Sequence, residues 1–571
     1  MRFGIFYEHQ LPRPWDEGQE QQLILDALEQ VELADRVGID YVWEVEHHFL
    51  EEYSQSSAPE VFLAAASQRT KRIRLGHGIV QLPPGFNHPA RVAERIAMLD
   101  LVSGGRVDFG TGESSSQMEL GGFGVDRELK RDQWGEALDA ITRMFVEEPF
   151  AGYDGRFVKM PQRNVVPKPM QKPHPPLWVA CSRRDTILLA GRKGLGALSF
   201  AFVEPEEAKE WVDGYYDQLT SADCVPAGFS VNPHVAVVLP FMCHQDEHTA
   251  IQRGIDGGHF FGYSLAHYYV FGRHKPGHTN LWDEFMEHRD EFGFSREIVT
   301  AEEGPLGVKL IQAGLGSLRG AVGTPNQIAD LIERYEKAGV DQVIFVSQAG
   351  RNQHEHICES LELFGKEVLP RFAGNADEAD RERQQRYAEA INRAMLRRTP
   401  ARPADPEYLV SPDGEPNPAP WTSLGARQPG IRELLQTKGQ ERFAEFLKGK
   451  SDAHLERIVG NRFVLGRIFK AMERQFEPAR AGGFQGEIQY VLTTQRGEHP
   501  WAIDIRDGRA TVYPGRASDP ALTLTMDVPT FARILSQEIE PGRAWMDGTI
   551  RVDGDLPVAA RLGDMFGRSR F

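Results

Sequence analysis

The residues with the clearest chemical potential lie in the string Trp43-Glu44-Val45-Glu46-His47-His48-Phe49, which closes a β-rich run. A neutral imidazole can take or give a proton near pH 7, so His47 and His48 are candidate acid/base groups. Neighbours on a strand face opposite sides, so at most one of the two points straight into a pocket at the strand end. Alternatively, both are surface or supporting histidines. A second string, Asp108-Phe109-Gly110-Thr111-Gly112-Glu113-Ser114, ends another β-rich run. Glycines such as Gly112 let the backbone approach a planar or phosphorylated ligand closely, and Glu113 would stand at the rim as an acid or base. The string lacks the third glycine and the N-terminal βαβ context of a dinucleotide fingerprint. Its plain alternative is a tight strand-to-loop turn. A third string, Ala180-Cys181-Ser182-Arg183-Arg184-Asp185, leads into a helical pattern. Free amides at a helix start attract phosphate, and Ser182, Arg183 and Arg184 could add hydrogen bonds. Equally, the serine is a cap and the arginines are solvated. His354-Glu355-His356 and Cys243-His244 lack a third ligand at a suitable spacing, so no metal is expected.

These strings fall at the ends of regularly spaced elements. Strand-like runs cover Arg2–Phe6, Tyr41–Val45, Ile73–Val80, Arg106–Gly110, Leu177–Ala180, Ala197–Phe202, His234–Phe241 and Gln342–Val346. Helical patterns lie between them. Ile24, Ala27, Leu28, Val31, Ala34 and Val37 share one helical face, and Gly38 can close that helix. Thr324-Pro325-Asn326-Gln327 reads as a capping box that opens another. Eight strand–helix alternations predict an α/β fold, a (β/α)8 TIM-type barrel over residues 1–373, with a doubly wound sheet as runner-up. The aromatic, His-rich stretch from Gly257 to Arg319 reads as an insertion over the barrel's C-terminal mouth. Residues 374–429 read as a linker, with a charged, solvated helix over Asp377–Arg398 and a proline-dense stretch from Pro400 to Pro420. Residues 430–571 read as a smaller α+β domain, helical to Phe476 and then built on a mostly antiparallel sheet.

The chain has 571 residues and a formal net charge of -17. An acidic balance argues against nucleic acid as the main partner and against an anionic membrane surface. The four cysteines have neither zinc-ligand nor redox-motif spacing, which points to a reducing cytoplasm. The opening residues carry no apolar stretch of signal-peptide length, and no window is long and apolar enough to span a membrane.

Residues 1–373 resemble the bacterial luciferase-like flavin monooxygenase family. The matches are collinear: Trp43–Phe49, residues 73–112, then Pro176–Ser182, Gly196–Phe200 and Ala321–Ile328. The resemblance implies a barrel whose active-site histidine is His47, with His48 its neighbour. It implies a cis peptide at Gly78–Ile79 lying against the flavin ring, and a flavin phosphate loop at Ser182 and its neighbours. Two positions depart from the pattern: Glu113 stands where the family carries a phosphate-binding arginine, and Cys181 where it carries a glutamate. Gly-Thr-Gly-Glu at this place also resembles the deazaflavin-dependent glucose-6-phosphate dehydrogenase branch, in which the glutamate serves proton transfer.

The tail resembles the sterol carrier protein type 2 family, through Asp519–Met526, Phe531, Leu535, Pro541, Ala544, Met546–Gly548 and Ile550–Asp555. That likeness implies an apolar tunnel for lipids, or a domain that serves assembly. Together the two resemblances imply a flavin-dependent monooxygenase that uses reduced FMN and dioxygen on a hydrophobic substrate. No nicotinamide-binding unit is recognisable, so a separate flavin reductase is expected as a partner, and a homo-oligomer as the assembly. The alternatives are a deazaflavin coenzyme with hydride transfer, and a non-catalytic lipid carrier.

Overall fold

A computed structural model of the chain describes residues 1–181, 184–199, 205–289, 319–372, 374, 376–400 and 403–410, and 446–566 with short breaks. It divides into two compact units, Met1–Trp421 and Thr422–Phe571.

The first unit is built on β1 (Arg2–Tyr7), β2 (Tyr41–Glu44), β3 (Arg74–His77), β4 (Val80–Gln81), β5 (Val107–Gly112), β6 (Tyr153–Asp154), β7 (Lys159–Met160), β8 (Leu177–Cys181), β9 (Gly196–Ser199), β10 (Val235–Cys243), β11 (Ala321–Gly323) and β12 (Gln342–Val346). Eight of these close a parallel ring in the order β1, β2, β3, β5, β8, β9, β10, β12. The pairing of β9 with β10, Ala197 opposite Val235, shuts the ring and excludes the doubly wound alternative. The closed barrel is the expected one.

Alternation along the strands separates two cores. Phe6, Trp43, Trp178, Leu198, Ala236, Val238 and Ile344 fill the barrel interior. Their neighbours Ile5, Val42, Val179, Val237 and Val343 pack outward against helix residues such as Leu28, Ala93 and Ile332. The interior matches large residues with small ones. A Cβ on Gly76 would lie 2.2 Å from the Trp43 ring, and one on Gly196 would lie 2.4 Å from Trp178. Two indoles therefore fit inside only because glycine stands beside each.

The helix Gln19–Val37 ends at Gly38, which takes φ 109° as a C-terminal glycine can. Thr324 and Gln327 form the expected capping box. The run Ile73–Val80 is not one strand but two, broken at Gly78–Ile79. The cis bonds among the described residues all precede proline, at Pro14, Pro149, Pro167 and Pro173, and the expected cis bond at Gly78–Ile79 is not among them. A non-proline cis bond costs about 3 kcal/mol, and the surroundings here hold the trans form. Gly78 N donates to Glu44 O at 2.7 Å, and Ile79 O accepts from Glu46 N at 3.0 Å.

The stretch expected as an insertion from Gly257 starts within a barrel helix, Glu247–Ala266. It continues as a π-helix, His267–Phe271, and a short helix, Leu281–His288. Its remaining part lies outside the described residues.

The charged helix observed over Ala376–Leu396 is docked rather than solvated. Its Arg383 pairs with the buried Asp341, its Asp380 accepts from Arg2 at 2.9 Å, and Tyr387 stacks on Tyr216 at 4.6 Å. Charge in the sequence suggested solvent; in the fold it meets complementary charge at the N-terminal end of the barrel.

The second unit holds β13 (Gly486–Thr494), β14 (Gly497–Arg506), β15 (Arg509–Pro514), β16 (Pro520–Asp527) and β17 (Arg551–Gly554). Their order is β15-β14-β13-β16-β17, antiparallel except for β13 with β16. Leu522, Leu524 and Met526 share its buried face with Phe469 and Phe531 of the unit's own helices.

Candidate active site

The C-terminal ends of β1, β2 and β5 bring together a group of buried acids around His47. Alternation that puts Phe6 and Trp43 inside the barrel carries on past the strand ends to Glu8 and His47. His47 N donates to Ser56 O at 2.8 Å, which fixes the backbone after β2. His47 Nδ1 lies 2.9 Å from Glu119 Oε1, and its Nε2 lies 3.7 Å from Glu8 Oε2. The Tyr269 hydroxyl is 3.5 Å from Nδ1. His47 thus sits between two carboxylates, beneath an aromatic side chain of the His267–Phe271 turn.

Glu119 lies in the short helix Gln117–Gly122 after β5 and is fully buried. Three further donors hold it: His48 N at 3.0 Å, Gln81 Nε2 at 2.7 Å and Ser114 Oγ at 2.6 Å. Burial opposes its charge, but His47 and these donors outweigh that and keep the carboxyl below its ordinary range. An ionised Glu119 selects the tautomer with hydrogen on Nδ1 and leaves Nε2 as the exchangeable site. Burial by itself would lower the affinity of His47 for a proton; Glu119 and Glu8 reverse this and raise its pKa to about 9. Glu8 goes the same way for another reason. Burial pushes its carboxyl up to about 7, against the pull of His47 and the Tyr53 hydroxyl. Three non-glycine residues beside the site hold positive φ: His9 at 54°, Phe49 at 65° and Ser114 at 58°. Such backbone is kept where the surroundings impose it.

His48 turns to other partners: Glu46 Oε1 at 3.2 Å and the Phe123 ring at 4.9 Å. Glu113 is not one of the groups that meet the His47 ring nitrogens, which among the described residues are Glu119, Glu8 and Tyr269. Arg131 grips both its oxygens at 2.8 Å, and Lys130 lies 3.6 Å away. Position 112 has no room for a side chain, because a Cβ there would lie 2.5 Å from Ile79. Gly78 sits under Phe6, 3.0 Å from where its Cβ would be. Arg184 opens the helix Arg184–Lys193, exposed and 4.0 Å from Glu210. Ser182 and Arg183 lie outside the described residues. Among the described residues there is no group of three His, Cys, Asp or Glu side chains that could hold a metal. Nor, among them, is any helix long and apolar enough to cross a membrane.

Sequence reading missed Glu8, Tyr53, Glu119, Tyr269 and Arg131. Glu8 had a signal, since it follows the first strand as His47 follows the second. Glu119 and Arg131 had none, because each reaches the site from a helix after β5.

The charges around Glu113 bear on whether an anionic group can approach. Glu113 alone would repel a phosphate, but Lys130 and Arg131, which open the helix Lys130–Val146, set two cations against its single negative charge.

A closed parallel barrel with an imidazole–carboxylate cluster at its C-terminal mouth defines a barrel enzyme with acid/base chemistry. Residues 1–342 match the family described as luciferase-like monooxygenase, and residues 469–567 match the SCP-2 sterol transfer family. The chain belongs to the luciferase-like monooxygenase family, which makes it an oxidoreductase. It is 25% identical over 381 residues to the oxygenase component of the flavin-dependent trigonelline monooxygenase of Acinetobacter baylyi, covering 65% of this chain and 96% of the relative. It is 28% identical over 353 residues to 4-hydroxyprotoasukamycin monooxygenase of Streptomyces nodosus subsp. asukaensis, covering 61% and 87%. Among solved structures it resembles the monooxygenase RslO1 of Streptomyces bottropensis, with a TM-score of 0.51, 26% identity and coverage of 65% of this chain and 100% of that one.

Proposed function

We propose that this protein is the oxygenase half of a two-component system that takes reduced FMN from a separate reductase and uses dioxygen to oxidise a hydrophobic substrate. The observation that carries this reading is His47 at the barrel mouth, its Nδ1 2.9 Å from Glu119 Oε1 and its Nε2 3.7 Å from Glu8 Oε2. Reduced FMN, when bound, supplies the electrons that activate dioxygen. The chain's own residues do the rest. His47 holds or releases a proton at Nε2. Tyr269, Phe261 and Tyr268, packed around Tyr53, keep water from the site. Arg131 and Lys130 offset Glu113 and leave positive charge for a phosphate, and the phosphate loop is assigned to Ser182, Arg183 and Arg184.

The grip of Arg131 on Glu113 supports FMN over the deazaflavin alternative, since a carboxylate held at both oxygens is a poor proton-transfer group. The name of the Acinetobacter relative, an oxygenase component, supports the separate reductase. The four free cysteines suit a reducing cytoplasm. The tail is assigned an apolar ligand, bound between its sheet and its helices and serving substrate delivery. Stopped-flow absorbance of the purified protein loaded with photoreduced FMN, and separately with reduced deazaflavin, as it meets dioxygen tests the reading against the free reduced cofactor as control. Reoxidation no different from that of the free cofactor in both cases overturns the oxygenase assignment.

A further inference from the structure

We propose that Glu8 acts through His47 as the second station for its proton, so that Nε2 exchanges hydrogen with Glu8 Oε2 while Glu119 keeps Nδ1 in place. This rests on the acid/base role given to His47 above.

The argument starts from an unusual oxygen. Glu8 is fully buried, and its two carboxylate oxygens are treated differently. Oε1 accepts from the Tyr53 hydroxyl at 2.8 Å. Among the described residues Oε2 accepts nothing. Buried carboxylate oxygens are nearly always paired, so an unpaired one calls for an explanation. Oε2 lies 3.7 Å from His47 Nε2. That is too long for a hydrogen bond and too short for a bridging water, since two hydrogen bonds of about 2.8 Å meeting at a tetrahedral water span about 4.5 Å. A shift of the imidazole by about an ångström closes the bond. Glu119, with its own four donors, has no such spare oxygen at Oε1 and serves as the fixed pivot.

Other groups facing the pair set the balance. Glu44 and Glu46 approach from β2 and its extension, Tyr53 from the following loop and Tyr269 from the π-helix. Glu44 is itself engaged, with His9 Nε2 at 2.9 Å from its Oε1 and Ser56 donating to it. Tyr53 and Tyr269 are both held neutral by burial. Glu8 therefore has one close cationic neighbour among the described residues, His47. With the Glu8 carboxyl pushed up to about 7 and His47 raised to about 9, the two affinities are close enough for a proton to pass either way. In the step, the Nε2–H bond breaks and an O–H bond forms on Oε2. Imidazolium and carboxylate become imidazole and carboxylic acid, and no co-reactant is consumed.

The test uses the full-length, cofactor-free protein with labelled histidine, following the His47 ring by NMR against pH; a His47→Gln variant assigns the signal. Two inflections are expected, near 7 and near 9. In Glu8→Gln the lower inflection should vanish and the upper one should fall by about one pH unit or more. Tyr53→Phe, which removes the donor to Oε1 and keeps the ring, should move the lower inflection upward. A single inflection in the wild type overturns the proposal. So does a His47 titration unchanged in Glu8→Gln or, if that variant does not fold, in Tyr53→Phe. The pH profile of dioxygen uptake adds a second readout, with the acid limb lost in Glu8→Gln. Two inflections with no dioxygen uptake beyond that of free reduced FMN at any pH would support the Glu8 assignment and overturn only the oxygenase reading.

Discussion

His47 binds its proton more tightly than a free imidazole because two acids face it and one of them, Glu119, is locked in the charged form by four donors. His47→Ala should leave flavin binding largely intact and lower turnover by roughly 100-fold or more, the usual scale for losing a general acid or base. Dioxygen uptake by the purified, flavin-binding variant checks this; unchanged turnover would remove His47 from the mechanism. The same raised pKa affects stability. A folded-state value of about 9 against 6.5 for an ordinary histidine means that the contribution is fully present below 6.5 and fades as pH rises through 9. The difference in melting temperature between wild type and His47→Gln should therefore be largest near pH 6 and shrink by pH 10. Calorimetry at the two pH values measures it.

The helix Ala376–Leu396 shows how misleading composition can be for a single element. Its charges are the means of attachment: Arg383 to Asp341, Asp380 and Asp377 to Arg2, with the buried Ala390 and Ala394 against the barrel. Asp341 is nearly inaccessible and also accepts from Val235 N at 2.8 Å and the Tyr216 hydroxyl at 3.1 Å. Removing its cation would strand a buried charge. Arg383→Ala should lower unfolding stability by roughly 3 kcal/mol, the lower end for breaking a buried pair. Urea denaturation followed by barrel tryptophan fluorescence reads it, and a loss within error would mean that the pair adds little. Gly76→Ala belongs here too. Its Cβ would meet the Trp43 ring at 2.2 Å, so β2 and β3 must part or the indole must leave. Loss of soluble folded protein, or a large fall in melting temperature, is expected.

Two compact units with separate cores should unfold separately. Phe469 stacks on Trp501 at 5.0 Å and on Phe531 at 5.8 Å, at the centre of the smaller core. Phe469→Ala should cost that unit about 3–5 kcal/mol and leave the barrel transition in place. Differential scanning calorimetry would show one of two transitions moving; a single transition that moves as a whole would show the units to be coupled. If the tail handles substrate, cutting the chain near Asp413 should spare oxidation of a small surrogate and reduce efficiency with a lipid-like one. The apolar face of β16 is already covered by the unit's own helices, so a ligand must enter between them and the sheet. A tail with no affinity for acyl or sterol probes would end the delivery reading.

Periodicity was enough to mark eight barrel strands, the glycine that ends the first helix and the capping box at Thr324, because each depends on residues close in sequence. His47 was visible for the same reason: a strand-end position inside a characteristic string. The rest depended on contacts between distant segments. Ring closure is a pairing of β9 with β10, which local pattern cannot distinguish from an open sheet. Glu113 read as a candidate acid or base because it stands at a strand end. Arg131, eighteen residues on, occupies both its oxygens, while Glu119, seventy-two residues from His47, takes the place beside the imidazole. The charged helix after Phe372 looked solvated for lack of any sequence sign of the counter-charges at Arg2 and Asp341. Spacing in sequence decides which elements form and what their ends can offer. Which acid meets which base is decided by where those ends converge, and burial there sets their proton affinities.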